Sequence, residues 1–345
     1  MHRKGMLLYL LFLIVWWGDL AGDAPARAGE SALPTFHVLI VHSYDPGYVW
    51  TRAITQGVAE ALKDLRPQIE TVYLDAKRRP EKTGLEKRAG ELAERIRELA
   101  PHVVIAADDV VQEYLVVPYL KDKPGPQIVF CGVNAPPSKY GYPAANVSGV
   151  RERWHFREGF ALIKRILPRA TSAAFLVGDS ESGHYVAEEL QADIARNGPY
   201  ALDVSHVDVV RTEAEWQEKI RQYQDEVDVL AIGLYQSLQR GADGAVVPAA
   251  TIMQWTHAVN QKPTLGFADT AAQNGLLCGV LESGHEQGYL AGHMAYEIMT
   301  RRVPAGSLPI VTNKTGLVLV NLATAERLGV DIPFEIIEAA GVVLQ

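Results

Sequence analysis

The sequence predicts an α/β protein built as two doubly wound parallel-sheet lobes with a ligand cleft between them. Three observations carry that expectation. Short apolar runs rich in β-branched residues alternate with amphipathic stretches of helical period along most of the 345 residues, the pattern of parallel strands joined by crossover helices. The alternation breaks off at a Pro-, Gly- and Tyr-rich excursion over 136–146 and then restarts, and the length suits two domains better than one. Polar and aromatic residues gather just past the apolar runs, where open parallel sheets hold their ligands.

The pattern begins with residues 38–62, VLIVHSYDPGYVWTRAITQGVAEAL. Val38 to Val41 are continuously apolar, as in a strand covered on both faces. His42-Ser43-Tyr44-Asp45-Pro46-Gly47 break the run with turn chemistry, and Ile54, Val58, Ala61, Leu62 and Leu65 then recur at helical spacing. Strands are expected next at 70–74, 103–107 and 128–131, with helices at 81–99 and 111–120, the second broken by Pro118. Residues 147–150 lead out of the first half. The second half offers strands at 173–177, 201–209, 229–232, 264–267 and 276–281 and helices at 156–167, 184–197, 212–227 and 247–260. Thr212 and Glu215 have capping-box spacing at the start of one of these. A helix at 287–300, a strand at 315–321 and helical pieces at 323–328 and 334–343 finish the chain. The expected division is residues 36–150 plus about 285–310 in lobe 1, and 151–284 plus about 311–345 in lobe 2.

The first 28 residues read as a secretory signal peptide. His2, Arg3 and Lys4 are basic, residues 6–17 are apolar, and Ala26-Arg27-Ala28 supplies a cleavage site. The apolar run is shorter than the roughly 20 residues of a spanning helix, and no Cys follows it to carry a lipid. The mature protein is therefore expected to be exported, soluble and monomeric. A formal charge of −8, with no cluster of basic residues and interleaved aromatics after residue 36, argues against a nucleic-acid partner. Cys131 and Cys278 each border an apolar run; either they are buried thiols or, in an oxidising compartment, they pair.

Several stretches resemble a known family. NLATAERLGVDIPFEIIEAAGVVL (321–344) and GVLESGHEQGYLAGHMAYEIMTRRVPAG (279–306) are similar to the substrate-binding proteins of ABC transporters, in the group that takes up tryptophan and related amino acids. HSYDPGYVWTRAITQG (42–57), YLDAKR (73–78), IAADD (105–109) and VFCGVN (129–134) resemble the ligand-sensing ectodomains of some bacterial histidine kinases. The resemblance covers residues 36–345. It implies a type I periplasmic-binding fold with two lobes joined by three hinge crossings, a periplasmic location, no enzymatic activity, a small-molecule ligand and an ABC permease as partner. The alternative it leaves open is a sensing partner of a membrane signalling protein.

A cleft needs convergent polar groups and an aromatic wall. The candidates are the residues just past strands: Ser43, Tyr44, Asp45, Trp50, Asp108, Asn134, Asp179, Ser180, Tyr235 and Asp269. For an amino-acid ligand, one Asp would face the ammonium, and a Ser with free N–H groups at a helix start would face the carboxylate. Tyr44, Tyr48, Trp50 and Tyr235 could stack on its side chain, although Trp50 could equally pack behind its loop. Each Asp has a plainer alternative as a turn residue or helix cap. Gly178-Asp179-Ser180 followed by Asp203-Val204-Ser205-His206 also resembles esterase motifs, but both sit mid-chain and no GxSxG is present, which leaves a secreted esterase as a remote alternative. The ten His are scattered, with no HExxH, CxxC or Gly-rich phosphate motif, so neither metal nor cofactor is expected.

Overall fold

A computed structural model of the chain describes residues 36–241 and 244–345. The signal-peptide reading of residues 1–28 lies outside the described residues, and so does the side chain of Asp269.

The chain starts with β1 (His37–His42), α1 (Val49–Ala61), β2 (Gln68–Tyr73), α2 (Lys82–Leu99) and β3 (Val103–Ala107). A single helical turn, α3 (Asp108–Val111), runs into a wider π-type stretch at Gln112–Leu120. Pro118 therefore does not break this helix as the sequence suggests; it sits inside the wide-turned stretch, where the ladder is already distorted and its missing N–H costs less. β4 (Gln127–Val133) and β5 (Val147–Arg151) complete the first run. The second comprises α4 (Phe156–Ile166), β6 (Ser172–Gly178), α5 (Glu181–Asn197), β7 (Asp203–Val210), α6 (Glu213–Glu226) and β8 (Val229–Ile232). A two-stranded ribbon, β9 (Gln239–Arg240) and β10 (Ala245–Val246), then interrupts it. After it come α7 (Ala249–Val259), β11 (Thr264–Gly266), β12 (Cys278–Leu281), α8 (Gly284–Arg301), β13 (Val311–Thr312), β14 (Leu317–Asn321), α9 (Leu322–Leu328), α10 (Phe334–Ala339) and β15 (Val342–Leu344). The final piece, expected to be helical to residue 343, instead ends as a helix at Ala339 and pairs its last residues with β14.

Two sheets result. The first has the order β13-β5-β4-β3-β1-β2 and is parallel throughout. The second has the order β15-β14-β12-β11-β8-β6-β7, parallel except where β12 meets β14. Each is covered on both faces by buried apolar side chains, which is why its central strands read as unbroken apolar runs. Strand order reverses at β1/β3 in the first sheet and at β6/β8 in the second. Loops that leave those strands diverge and open a crevice at the carboxyl ends.

α8 returns to the first sheet and packs along α1. The two backbones come so close that a Cβ at Gly57 would lie 2.1 Å from the His285 carbonyl oxygen, and one at Gly288 would lie 2.0 Å from that of Ile54. Only glycine allows this approach. Three passages connect the lobes, after β5, after β12 and after β13, and one side chain ties them together. Asn313 Oδ1 accepts from the Arg153 N–H at 2.8 Å and from Gln287 Nε2 at 3.3 Å. Its Nδ2 donates to the Arg153 carbonyl at 3.1 Å and to Glu282 at 2.7 Å. Cys131 and Cys278 are both buried, free thiols.

Candidate functional site

Two adjoining cavities open where the carboxyl ends of the two sheets face each other. The outer one, about 230 Å³, is lined by Tyr44, Lys77 and Tyr114 on one side and by Asp179, Ser180, Ser182 and Gln239 on the other. The inner one, about 30 Å³, lies among Tyr44, Tyr48, Trp50, Lys77, Asp108, Asn134, Glu152, Trp154, Ser182, Leu234 and Ala268. Tyr44, Lys77 and Ser182 line both. A larger cavity of about 770 Å³ sits by His102 and Pro126, at the amino ends of β3 and β4. That is the wrong end of a parallel sheet for ligand capture.

The wall from the first lobe is built around the β1/β3 switch point. Trp50, in the first turn of α1, is buried and donates its indole N–H to Asp108 Oδ1 at 2.7 Å. Asp108 starts α3 with φ = +69°, a backbone strained for any residue with a side chain. Gly132 lies against this pair at φ = +65°, and a Cβ there would come within 2.9 Å of Asp108 Oδ1 and 3.3 Å of the indole. Asn134 donates from its side chain to Glu152 Oε2 at 3.2 Å, while the Trp154 indole donates to Glu152 Oε1 at 2.8 Å. Glu152 and Trp154 belong to the first passage between the lobes, so the hinge itself supplies part of the wall.

Tyr44 and Tyr48 meet edge to face, with ring centroids 5.3 Å apart. The Lys77 ammonium nitrogen sits 4.3 Å from the centre of the first ring and 4.9 Å from that of the second, a cation–π arrangement. Burial pulls the Lys77 amine down to about 8, against the opposing pull of Asp108, Asp45 and Glu152. Burial, with the neighbouring Asp108 carboxylate, also pushes the Tyr44 phenol well above its ordinary range, while a hydrogen bond from Ser182 of the second lobe acts the other way.

The second lobe adds less. Ser180 is the N-cap of α5, its hydroxyl accepting from the Gly183 N–H at 3.0 Å. Asp179 is held by His184 at 2.8 Å. Leu234 and Ala268 follow β8 and β11 and give apolar surface. At the rim, Lys139 of the first lobe reaches Glu181 at 2.5 Å and Glu113 at 3.4 Å, and Tyr140 donates to Glu181 at 3.4 Å. Burial, and then the Glu113 carboxyl beside it, push Glu181 up to about 7.

The structure thus brings Tyr44, Trp50, Asp108, Asn134, Asp179 and Ser180 to the cavities. It places three other candidates elsewhere. Ser43 is fully buried beneath the loop, donating to the Ala107 carbonyl at 2.8 Å and accepting from the Val111 N–H at 3.2 Å. Asp45 is a turn residue, accepting from the Gly47 N–H at 2.9 Å. Tyr235 turns into the core of the second lobe against Trp216, because the backbone after β8 offers Leu234 to the cleft instead. Lys77, Glu152 and Trp154 line the cavities but are not among the residues expected from the sequence. Among the described residues no group of three His, Cys, Asp or Glu could hold a metal ion.

Two α/β lobes with a lined cleft between the carboxyl ends of their sheets define a binding protein. The model of the family described as ABC transporter substrate binding protein matches residues 50–344, and the chain belongs to that family. A search of curated proteins gives no match. Among solved structures, the chain is similar to an ABC domain in complex with L-Trp from Streptococcus pneumonia, at 17% identity and TM-score 0.68, covering 90% of this chain and 100% of that one. It is similar to a conserved domain protein from Vibrio cholerae at 18% identity and TM-score 0.66, covering 90% and 99%. It is also similar to a ligand-free, open substrate-binding protein with adhesive properties from Clostridium difficile, at 17% identity and TM-score 0.66, covering 89% and 99%. At these identities the likeness establishes the fold: the type I periplasmic-binding architecture with two lobes.

Proposed function

We propose that this substrate-binding protein captures a small molecule with a flat apolar body between its lobes and, working in the periplasm as a monomer, hands it to an ABC permease without chemically altering it. The observation that carries the reading is the pair of adjoining cavities, where Tyr44, Tyr48, Trp50 and Trp154 surround hydrogen-bonding groups from both lobes and the hinge. The L-Trp in one structural relative fits a cleft of this composition. Contacts to both walls exist only when the lobes are together, so the ligand favours closure. A thermal-shift screen against amino acids and small organic acids tests it, since a ligand that binds only the folded chain raises Tm. A compound should emerge whose effect disappears in Trp154→Ala. If every compound that raises Tm does so equally in that variant, the cleft is not the site.

A second reading has a specific observation in its favour. The cavity residues of the first lobe, Tyr44, Tyr48, Trp50, Lys77, Asp108 and Asn134, all fall within the four stretches that resemble histidine-kinase sensing ectodomains. In that reading the closed, liganded protein is recognised by a membrane signalling protein. Pull-down with detergent-solubilised membranes separates the two readings: a permease in the ligand-dependent fraction supports delivery, and a sensor protein supports signalling.

A further inference from the structure

We propose that the molecule held in this cleft carries an anionic group, a carboxylate or its equivalent, seated against Lys77 above the rings of Tyr44 and Tyr48. The proposal rests on the cleft being the binding site and adds the chemical class of what it takes.

The argument starts from the basic run Lys77-Arg78-Arg79. Arg78 and Arg79 turn outward and pair with Asp75 at 2.7 and 3.0 Å. Lys77 turns inward to the junction of the two cavities, and among the described residues no carboxylate lies within ion-pair distance of its nitrogen. The acids around it are engaged by donors of the protein. Asp108 accepts from Trp50, Glu152 from Asn134 and Trp154, and Asp45 from the Gly47 N–H. They reach Lys77 through space and do not contact it.

A desolvated ammonium without a contacting counter-ion is costly, and the two tyrosine faces offset only part of that cost. The depressed amine pKa is the sign of the remaining imbalance. A ligand anion would correct it through a charge-assisted hydrogen bond, stronger than a neutral one. A ligand cation is disfavoured for the matching reason, because the protein's own ammonium already covers the aromatic faces that would receive it.

A charge series of near-isosteric compounds tests this: phenylacetate, phenylacetamide and 2-phenylethylamine, titrated at neutral pH into the parent, Lys77→Met and Trp154→Ala proteins. The expected result is that phenylacetate binds the parent at least about tenfold more tightly than the amide, as a charge-assisted contact should, and that the amine binds weakest. Lys77→Met should erase the preference for the carboxylate and leave the amide unaffected. If amide or amine binds the parent as tightly as phenylacetate and is lost in Trp154→Ala, the cleft reading stands and the anion assignment falls. If phenylacetate binds equally well to parent and Lys77→Met, the assignment also falls. If binding of all three ignores Trp154→Ala, or none binds, the cleft reading fails and takes the anion assignment with it.

Discussion

The two walls of the cleft are built differently. On the first lobe nearly every cavity side chain is fixed by another: Trp50 by Asp108, Asn134 by Glu152, and Lys77 by the rings beneath it. On the second lobe Ser180 and Asp179 are occupied within their own helix start, and the other lining groups include the Ser182 hydroxyl, the Gln239 amide and apolar surface from Leu234 and Ala268. The difference teaches a division of labour. A preorganised wall holds its groups in place before the ligand arrives and loses little entropy on binding. A sparse wall contributes when it swings in and excludes water. The first lobe is the platform, and the second is the cover.

The largest effect should come from the platform. Trp50→Ala removes a large buried ring together with the donor to Asp108, and large-to-small aromatic replacements in cores cost about 3–5 kcal/mol. Equilibrium urea unfolding should show a loss of that size. Trp50→Phe keeps most of the ring and deletes the donor, so its loss should be about 1–3 kcal/mol, the cost of depriving a buried acceptor. An alanine variant as stable as the parent would mean that the platform is not held together through this pair.

The cover should behave in the opposite way. Ser182→Ala should leave the unfolding midpoint within experimental scatter, because the hydroxyl lies at the cleft and its hydrogen-bond partner, the Tyr44 phenol, is across the gap. Affinity for a cleft ligand should still fall by about 1 kcal/mol, the scale of one lost hydrogen bond. Calorimetric titration and a melting curve on the same sample read both. A variant that unfolds as readily as Trp50→Ala would erase the distinction between platform and cover.

The same contrast explains what was legible in the sequence. Unbroken apolar strands such as residues 103–107 announce burial on both faces, so the alternation and the two-lobed plan could be read directly. Val342–Leu344 could not, since three apolar residues become a strand only through pairing with β14. In the candidate site, strand-end position pointed to Tyr44, Trp50, Asp108 and Asn134, which line the inner cavity, but it does not say which way a side chain turns. Ser43 and Tyr235 occupy the same kind of position and point into the core. Lys77 was hidden for a related reason: it heads a basic run that looks solvated, and the other two members are indeed largely exposed, at 62% and 55%. Glu152 and Trp154 sit where the chain leaves the first lobe, and only the geometry of the hinge turns that exit into a wall.

The smallest expected effect concerns the rim, where platform and cover touch through charge. Glu181 of the second lobe faces Lys139, Tyr140, Glu113 and Asp109 of the first and Tyr185 of its own helix. Burial first, and the Glu113 carboxyl second, raise it to about 7, well above the roughly 4.3 of an unfolded chain. The folded protein therefore holds a proton there that the unfolded chain releases earlier. The stabilisation linked to that proton is complete below about pH 4.3 and disappears as pH rises through about 7. The group stands at the edge of solvent, with its side chain 25% exposed, so the effect should be on the order of 1 kcal/mol rather than the full linkage value. Glu181→Gln keeps a neutral group in place at every pH. Melting temperatures of parent and variant, followed from pH 5 to pH 8, should draw apart, with the parent losing ground to the variant as pH rises. Curves that run parallel across that window would show that the rim does not sense protons and that platform and cover meet there without a titrating contact.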